Sequence, residues 1–545
     1  MMDKCNDQIP PWHQSGLPSA DLCVVRNLLE IGAKERPNAR CLMVDDGTDW
    51  SWREVLQKTK EWAAGLKQLG VKPGDMVSVW LPNSWQQIIA WYAANYLGAI
   101  YAPINIAYRG DLLQHVFDTS VTDVILIHHK LIPFLDHVNA SSVKHIISIG
   151  GPPPDSDDGR YLPDTALDGD IDSLGELADV HPWDTQAILY TSGTTGPSKA
   201  VIMSYIQIHT AAALACGFVK KGECILVYMP LFHVGAGGAV MCALSRGAAV
   251  SVHEVFNPRE FWNQVRESNS TTVCGLVGSM VPFLMEAAKK ETNFSSTMRR
   301  LLVAPVPEDV RLLAQKYDFE FFSGYGTTEV PCPLITDVNF ENRKNGYCGR
   351  PRTGVECRVV DENDIEVVPG QMGELIVRSQ FPWEISTGYY GMPEATAKVW
   401  RNGWFHTGDA FTMDEEGNFY YADKYKDTIR RRGENVSSFE VELGLRSHHA
   451  ITDCAVIGVK KEHGDEDIMA VIEVASEGEI DFKELIEYCS TRMAHFMVPR
   501  YFRVIDSIPR TPTNKIKKTE IREEGVTEDT WDRETAGIVI KRTRL

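Results

Sequence analysis

The chain has 545 residues, 43% hydrophobic and 24% charged, the composition of a globular protein and not of a disordered one. Against 55 Lys and Arg stand 74 Asp and Glu, a formal net charge of −19, which argues against nucleic acid or anionic lipid as the main partner because both require clustered positive charge. The twelve cysteines show no Cys-x-x-Cys or zinc spacing, no signal-peptide core opens the chain and no window suits a membrane span, so a reduced, cytoplasmic protein is expected.

Ser51 with Glu54 three residues on is a capping box, and it predicts a helix through Ala63, Leu66 and Leu69 that stops at Gly70. Pro73-Gly74-Asp75 turns the chain into a short strand, Met76–Leu81, and a second helix is expected over about Trp85–Leu97. Ile100–Pro103 follows, and Val124–Ile127 and His145–Ile149 have the β-branched, apolar look of buried strands. Gly150–Ser173, rich in proline, glycine and aspartate, reads as a surface loop. Beyond Asp423–Asp427 the pattern becomes compact α+β, with strands at Ala455–Val459, Met469–Val474 and Phe502–Ile505 and a helix near Phe482–Cys489. The expected fold is therefore α/β: a large N-terminal domain over residues 1–425 with mainly parallel sheets flanked by helices, and a small α+β domain over 426–545.

The most informative stretch is Leu189-Tyr-Thr-Ser-Gly-Thr-Thr-Gly-Pro-Ser-Lys-Ala-Val201, which follows a strand-like run, Ala187–Tyr190. Thr191, Ser192, Gly193, Thr194, Thr195, Gly196 and Lys199 combine hydroxyl donors, glycines that bring backbone N–H groups to an anion, and one point charge. Those residues suit a polyphosphate cradle, the alternative for the stretch alone being a Ser/Thr/Gly-rich solvent loop. It is not the Gly-x-x-x-x-Gly-Lys-Ser/Thr loop of kinases and GTPases: Ser198 precedes the lysine, and Ala200 stands where the metal-binding hydroxyl belongs.

This stretch resembles the signature of the adenylate-forming superfamily, which holds acyl-CoA synthetases, luciferases and peptide-synthetase adenylation domains. The resemblance recurs in order along the chain. Tyr325-Gly-Thr-Thr-Glu329, Gly373-Glu-Leu-Ile-Val-Arg378 and Gly403-Trp-Phe-His-Thr-Gly-Asp409 resemble further family motifs. Asp423-Lys-Tyr-Lys-Asp-Thr-Ile429 with Gly433-Glu-Asn-Val436 is similar to the hinge and its following loop, and Pro509-Arg-Thr-Pro-Thr-Asn-Lys515 to the catalytic-lysine motif. Gly403–Glu442 and Ala494–Arg500 look most like stand-alone acyl-CoA ligases, including the crotonobetaine/carnitine–CoA ligase branch.

The resemblance implies a two-step reaction using ATP, Mg2+ and CoA. A carboxylic acid and ATP give acyl-AMP and pyrophosphate, and the CoA thiol then gives acyl-CoA and AMP. All three reacting groups of the first step are anionic, so the protein must supply cations and oriented donors. By the same resemblance Thr191–Lys199 holds the β- and γ-phosphates, Tyr325, flanked by Gly324 and Gly326, stacks on adenine beside Ala304-Pro305, and Thr328 meets the α-phosphate. Glu329 ligates the metal, Asp409 and Lys424 hold the ribose, and Lys515 drives adenylation, with Lys517 as runner-up. Lys426 is the implied pivot of a mobile C-terminal domain that brings Gly433 and Glu434 to the active site for thioesterification. His233, in Pro230-Leu-Phe-His-Val234, matches the position bordering the acyl site. Glycines and small residues in Val234–Gly238, Gly275–Val281 and Ser323–Gly324 then suggest pocket walls with room for a medium or bulky acid.

Four positions depart from the family pattern. Lys424 replaces an arginine and loses its bidentate fork. Asn514 replaces the glycine before the catalytic lysine, Ala200 the glycine after Lys199, and Val303-Ala304-Pro305 an adenine-side Gly-Ala-Pro. An acyl-AMP ligase loading a carrier protein would share every motif. A non-catalytic adenylate-binding protein is disfavoured by the joint presence of Lys199, Glu329, Asp409 and Lys515. No nucleic-acid partner is expected, and the sequence is compatible with an oligomer.

Overall fold

The computed structural model describes residues 17–191, 198–290, 295–304, 306, 309–340, 346–424, 429–431, 434–436, 438–460, 466–474, 480–490, 493, 497–511 and 515–538. They gather into two compact units, one within residues 17–191, 198–356 and 377–404, the other within 357–376 and 405–538.

Two seven-stranded sheets build the first unit. One runs Glu320–Phe322, Arg300–Ala304, Thr272–Val277, Cys224–Val227, Ala249–Val252, Arg40–Val44, Asp49–Ser51. The other runs Tyr161–Pro163, His145–Ile149, Thr122–His128, Met76–Trp80, Ile100–Pro103, Thr185–Thr191, Lys199–Ser204. Every neighbouring pair is parallel except the last pair in each sheet. Strands buried on both faces by crossover helices must be apolar throughout, and Met76–Trp80 is buried at every position.

Local signals start and stop the helices. Ser51 accepts from the Glu54 amide and the Glu54 carboxylate accepts from the Ser51 amide, so the capping box opens Trp52–Gln68. Ser84 caps Trp85–Leu97, and Gly98, at φ +78°, ends it in the left-handed conformation that glycine adopts without strain. Gly150–Ser173 is not simply a surface loop. It contributes the edge strand Tyr161–Pro163, and Leu167 is fully buried against Gly65, where a Cβ would lie 2.5 Å from the Leu167 backbone.

In the second unit Phe419–Lys424 pairs antiparallel with the strand Trp404–Met413, Lys424 lying opposite Asp409. A hairpin, Ile429–Arg431 with Glu434–Val436, precedes a four-stranded sheet of Ile451–Lys460, Glu466–Val474, Tyr501–Val504 and Trp531–Asp532. Helices Ser438–Arg446 and Phe482–Ser490 cover one core, formed by Val441, Leu445, Val456, Ile472 and Phe502. No helix among the described residues is long and apolar enough to cross a membrane, and no described cysteine is disulfide-bonded.

Candidate functional site

The strand Thr185–Thr191 carries the chain into the glycine-rich loop and its antiparallel neighbour Lys199–Ser204 carries it out, which sets Thr191 opposite Lys199. Thr191 Oγ1 accepts from the Lys199 amide at 3.3 Å. Ser198 is anchored twice: its hydroxyl lies 3.1 Å from that of Tyr108, and His115 Nε2 donates to its carbonyl at 2.7 Å. The two ends of the cradle are thus fixed. Ser192, Gly193, Thr194, Thr195 and Gly196 lie outside the described residues.

Tyr325-Gly-Thr-Thr-Glu329 forms a two-residue strand, Gly324–Tyr325, and a turn in which the Thr327 hydroxyl accepts from the Val330 amide at 3.2 Å. Glycine is required at 326, where a Cβ would lie 2.7 Å from the Cys332 amide nitrogen. The Gln207 side chain donates to the carbonyls of Thr328 and Glu329 at 2.9 and 3.2 Å, and the Ser386 amide donates to the Glu329 carbonyl at 2.8 Å. The backbone of this turn is held from two sides.

Tyr389 connects this turn to the cradle. Its hydroxyl donates to Glu329 Oε1 at 2.9 Å, and Lys199 Nζ lies 4.8 Å from the centroid of its ring. Burial pushes the phenol well up, and the Glu329 carboxylate pushes the same way, so Tyr389 stays a neutral donor. The segment is placed by backbone pairing: Tyr390 N donates to Ala200 O at 2.7 Å and Ile202 N to Gly388 O at 3.0 Å. Upstream, the buried pair Arg352–Glu384, at 3.0 Å, with the Ser379 hydroxyl 2.7 Å from Glu384, ties the segment down.

These residues fit a metal–nucleotide of one kind. No group of three or more His, Cys, Asp or Glu among the described residues could cage a metal. Glu329 offers one carboxylate, with Oε1 engaged by Tyr389. A hard cation that arrives on phosphates takes one or two carboxylates and little else from the protein. Lys199 makes no ion pair with a described residue, which leaves its charge for an anion.

His233 immediately precedes the helix Val234–Arg246, with its ring 4.7 Å from that of Phe232. At Gly237 the glycine serves packing: a Cβ there would lie 3.2 Å from Ile208 Cδ1, so it lets the helices Tyr205–Cys216 and Val234–Arg246 approach closely, whereas one on Gly238 would make an ordinary contact, 3.6 Å from Ala211 Cβ. Gly235 and Gly275 instead face Met229: a Cβ would lie 2.9 Å from Met229 Cε at the first and 1.9 Å from Met229 Sδ at the second. Ala304 is exposed at the end of its strand, and Pro305 lies outside the described residues.

In the second unit Asp409 is buried on its strand, next to Gly408 at φ +68°. Glu374 supports that turn, accepting from the Gly408 amide and contacting His406 Nδ1, both at 2.9 Å. Lys515 is exposed in a narrow turn: Thr511 N donates to its carbonyl at 2.7 Å, and its own amide donates to Thr511 Oγ1 at 3.1 Å. Its neighbours are committed elsewhere, Lys517 to Glu520 at 2.6 Å and Lys518 to the buried Glu442 at 2.8 Å. Lys426 and Gly433 lie outside the described residues, and only the backbones of Lys424 and Glu434 are described.

Sequence reasoning missed Gln207, Ser386, Tyr389 and Glu374. Glu374 stood inside a quoted motif without a role. Gln207 was visible only as a polar break in an apolar run, and Tyr389 as an uncharged aromatic after a glycine.

Comparison with known proteins gives a consistent result. The profile of the AMP-binding enzymes matches residues 29–390, and that of the AMP-binding enzyme C-terminal domain matches residues 440–515. A feruloyl-CoA synthase from an Amycolatopsis species is 33% identical over 487 residues, covering 87% of this chain and 94% of that protein. A crotonobetaine/carnitine–CoA ligase from Salmonella arizonae is 29% identical over 488 residues, covering 87% and 93%. Among solved structures, an anthranilate CoA ligase in complex with anthranoyl-AMP shares the fold with a TM-score of 0.81 at 22% identity, over 93% of this chain and 98% of that one. An o-succinylbenzoate CoA synthetase from Bacillus subtilis does so with a TM-score of 0.76 at 23% identity, over 91% and 98%.

Proposed function

The chain belongs to the AMP-binding enzyme family, and on that footing we propose how its residues carry out acyl-CoA ligation. It is an AMP-forming acid–thiol ligase: a carboxylic acid and ATP give acyl-AMP and pyrophosphate, and the CoA thiol then displaces AMP to give acyl-CoA. ATP, Mg2+ and CoA take part with the acid.

Thr191, Lys199 and the loop between them take the β- and γ-phosphates, Thr328 meets the α-phosphate, and Glu329 is the protein ligand of Mg2+. Bound there, Mg2+ neutralises phosphate charge. The observation that supports this reading is the convergence of a cation and a carboxylate from two distant motifs on one tyrosine, Lys199 over its ring and Glu329 at its hydroxyl. Tyr325, between Gly324 and Gly326 and with Ala304-Pro305, takes the adenine, and Asp409 with Lys424 takes the ribose. Lys515 stabilises the charge that develops during adenylation.

Residues 1–425 carry adenylation, and residues 426–545 change arrangement about Lys426 so that Gly433 and Glu434 serve the thiol step. The reduced cysteines suit the cytoplasm, and the charge of −19 suits small-molecule partners over nucleic acid.

The acid is bulkier than acetate, with a hydroxycinnamic acid such as ferulic acid first in line, since the 33% identical relative is a feruloyl-CoA synthase. His233 and the adaptable Met229 thioether border its site. The test is acid-dependent pyrophosphate release across acids from acetic to hydroxycinnamic. Specificity constants at least about tenfold above that for acetate are expected for the hydroxycinnamic acids. The reverse order would reject this substrate class.

A further inference from the structure

We propose that Tyr389 is a positioning residue that sets two charges of the nucleotide site together: its hydroxyl orients the Glu329 carboxylate and its ring face holds the Lys199 ammonium. The inference rests on the reading of Lys199 and Glu329 given above. No motif singled out in the sequence contains Tyr389, and neither of its contacts follows from the chain order.

Three observations carry it. The hydroxyl-to-carboxylate bond, at 2.9 Å, is made to Oε1 and restrains how the carboxylate turns, with Oε2 outside that bond. Mg2+ arriving with phosphates would take only one or two carboxylates from the protein, so the orientation of Glu329 would matter to its binding. The Lys199 ammonium sits 4.8 Å from the ring centroid, within the distance at which an aromatic face attracts a cation, so a long flexible stem is confined without its charge being neutralised by a carboxylate.

The third observation is the scaffold. Tyr389 bridges to Val201 in antiparallel register, and Lys199 lies two residues before Val201 on the same strand face. The buried ring is therefore locked to the strand that carries the lysine, while its hydroxyl reaches the turn that carries the glutamate. One rigid side chain sets the spacing between a phosphate-binding cation and a metal-binding anion. A tyrosine serving only as core filler would need neither contact.

The experiment separates positioning from packing. Tyr389→Phe keeps the ring and removes the hydroxyl, and Tyr389→Leu removes both. Thermal unfolding of the full chain is followed with ATP alone and with ATP at rising Mg2+, and Mn2+ binding in the presence of ATP is read by electron paramagnetic resonance. In Tyr389→Phe the half-saturating Mg2+ and Mn2+ concentrations should rise roughly tenfold, while the response to ATP alone stays at the wild-type level. Tyr389→Leu should also weaken the response to ATP alone.

Unchanged metal half-saturation in Tyr389→Phe would overturn the proposal. So would equal weakening of the ATP-alone response in both variants, which marks general disruption. If Tyr389→Leu does not fold, Tyr389→Phe decides alone. Should the wild type show no metal-dependent response to ATP, the reading of Lys199 and Glu329 fails first, and this one with it.

Discussion

The Gln207 carboxamide donates to the Thr328 carbonyl at 2.9 Å, from a helix that is buried against the glycine face of its neighbour. The same nitrogen reaches the Glu329 carbonyl at 3.2 Å, so one fully buried side chain holds the turn that carries both proposed nucleotide ligands. Replacing it with leucine takes this donor from the Thr328 carbonyl and leaves the Glu329 carbonyl with the Ser386 amide, a change that costs about 1–3 kcal/mol when such a group is buried. Gln207→Leu should lower the unfolding free energy by that amount, read as a lower urea midpoint, and reduce ATP–pyrophosphate exchange at least about tenfold. Stability loss with unchanged exchange would confine Gln207 to packing.

His209 lies two residues further along the same helix and is buried. Burial, aided by the positive charge of Arg246, lowers its pKa from 6.5 to about 4. Above pH 6.5 the folded and unfolded chains both hold it neutral. Between pH 6.5 and about 4 the unfolded chain takes up a proton that the folded chain refuses, so stability falls as pH falls through that window. The full effect is roughly 3 kcal/mol. Urea unfolding from pH 7.5 to 4.5 should show a steeper loss for the wild type than for His209→Gln. Parallel profiles would contradict the assignment.

Lys515 and Lys517 are distinguished by their surroundings. Lys517 pairs with Glu520 at an exposed site, and such pairs contribute at most about 1 kcal/mol. Lys517→Ala should leave pyrophosphate exchange within about twofold of the wild type, because among the described residues its ammonium pairs with Glu520. Lys515→Ala should lower exchange by about a hundredfold or more yet spare thioesterification of supplied acyl-AMP. Equal losses in the two variants, or equal loss of both half-reactions in Lys515→Ala, would contradict the division of roles.

Met229 fills the space that Gly235 and Gly275 leave, and a thioether is the side chain that most easily yields it. Met229→Ala should shift specificity constants toward bulkier ring-substituted acids by about tenfold relative to the unsubstituted ones, measured across a graded acid series. A uniform loss for all acids would place Met229 outside the acyl pocket.

Much of this architecture was legible because its signals are local. The Ser51 capping box and the Gly70 stop define a helix from a few residues, and the buried parallel strands announce themselves by unbroken apolar runs. Tyr161–Pro163 was hidden because its partner strand lies outside its own aspartate- and proline-rich stretch. Gly237 misled for the same reason: a glycine shows that something comes close, but only the fold shows that it is a helix and not a ligand. Lys199 and Glu329, the charges proposed for the site, stand in the motifs quoted from the sequence. The neutral groups that hold them, Gln207, Ser386 and Tyr389, gain their meaning from chain pairing across distant segments.

The most direct test of the whole account is to incubate the protein with ATP, Mg2+ and hydroxycinnamic acids, with and without CoA, following pyrophosphate and identifying products by mass spectrometry. The account predicts acid-dependent pyrophosphate release that CoA accelerates, with acyl-CoA and AMP formed in equal amounts, and loss of that release in Lys199→Ala and Glu329→Gln. Acid-dependent release that ignores CoA, or full activity in either variant, would contradict it.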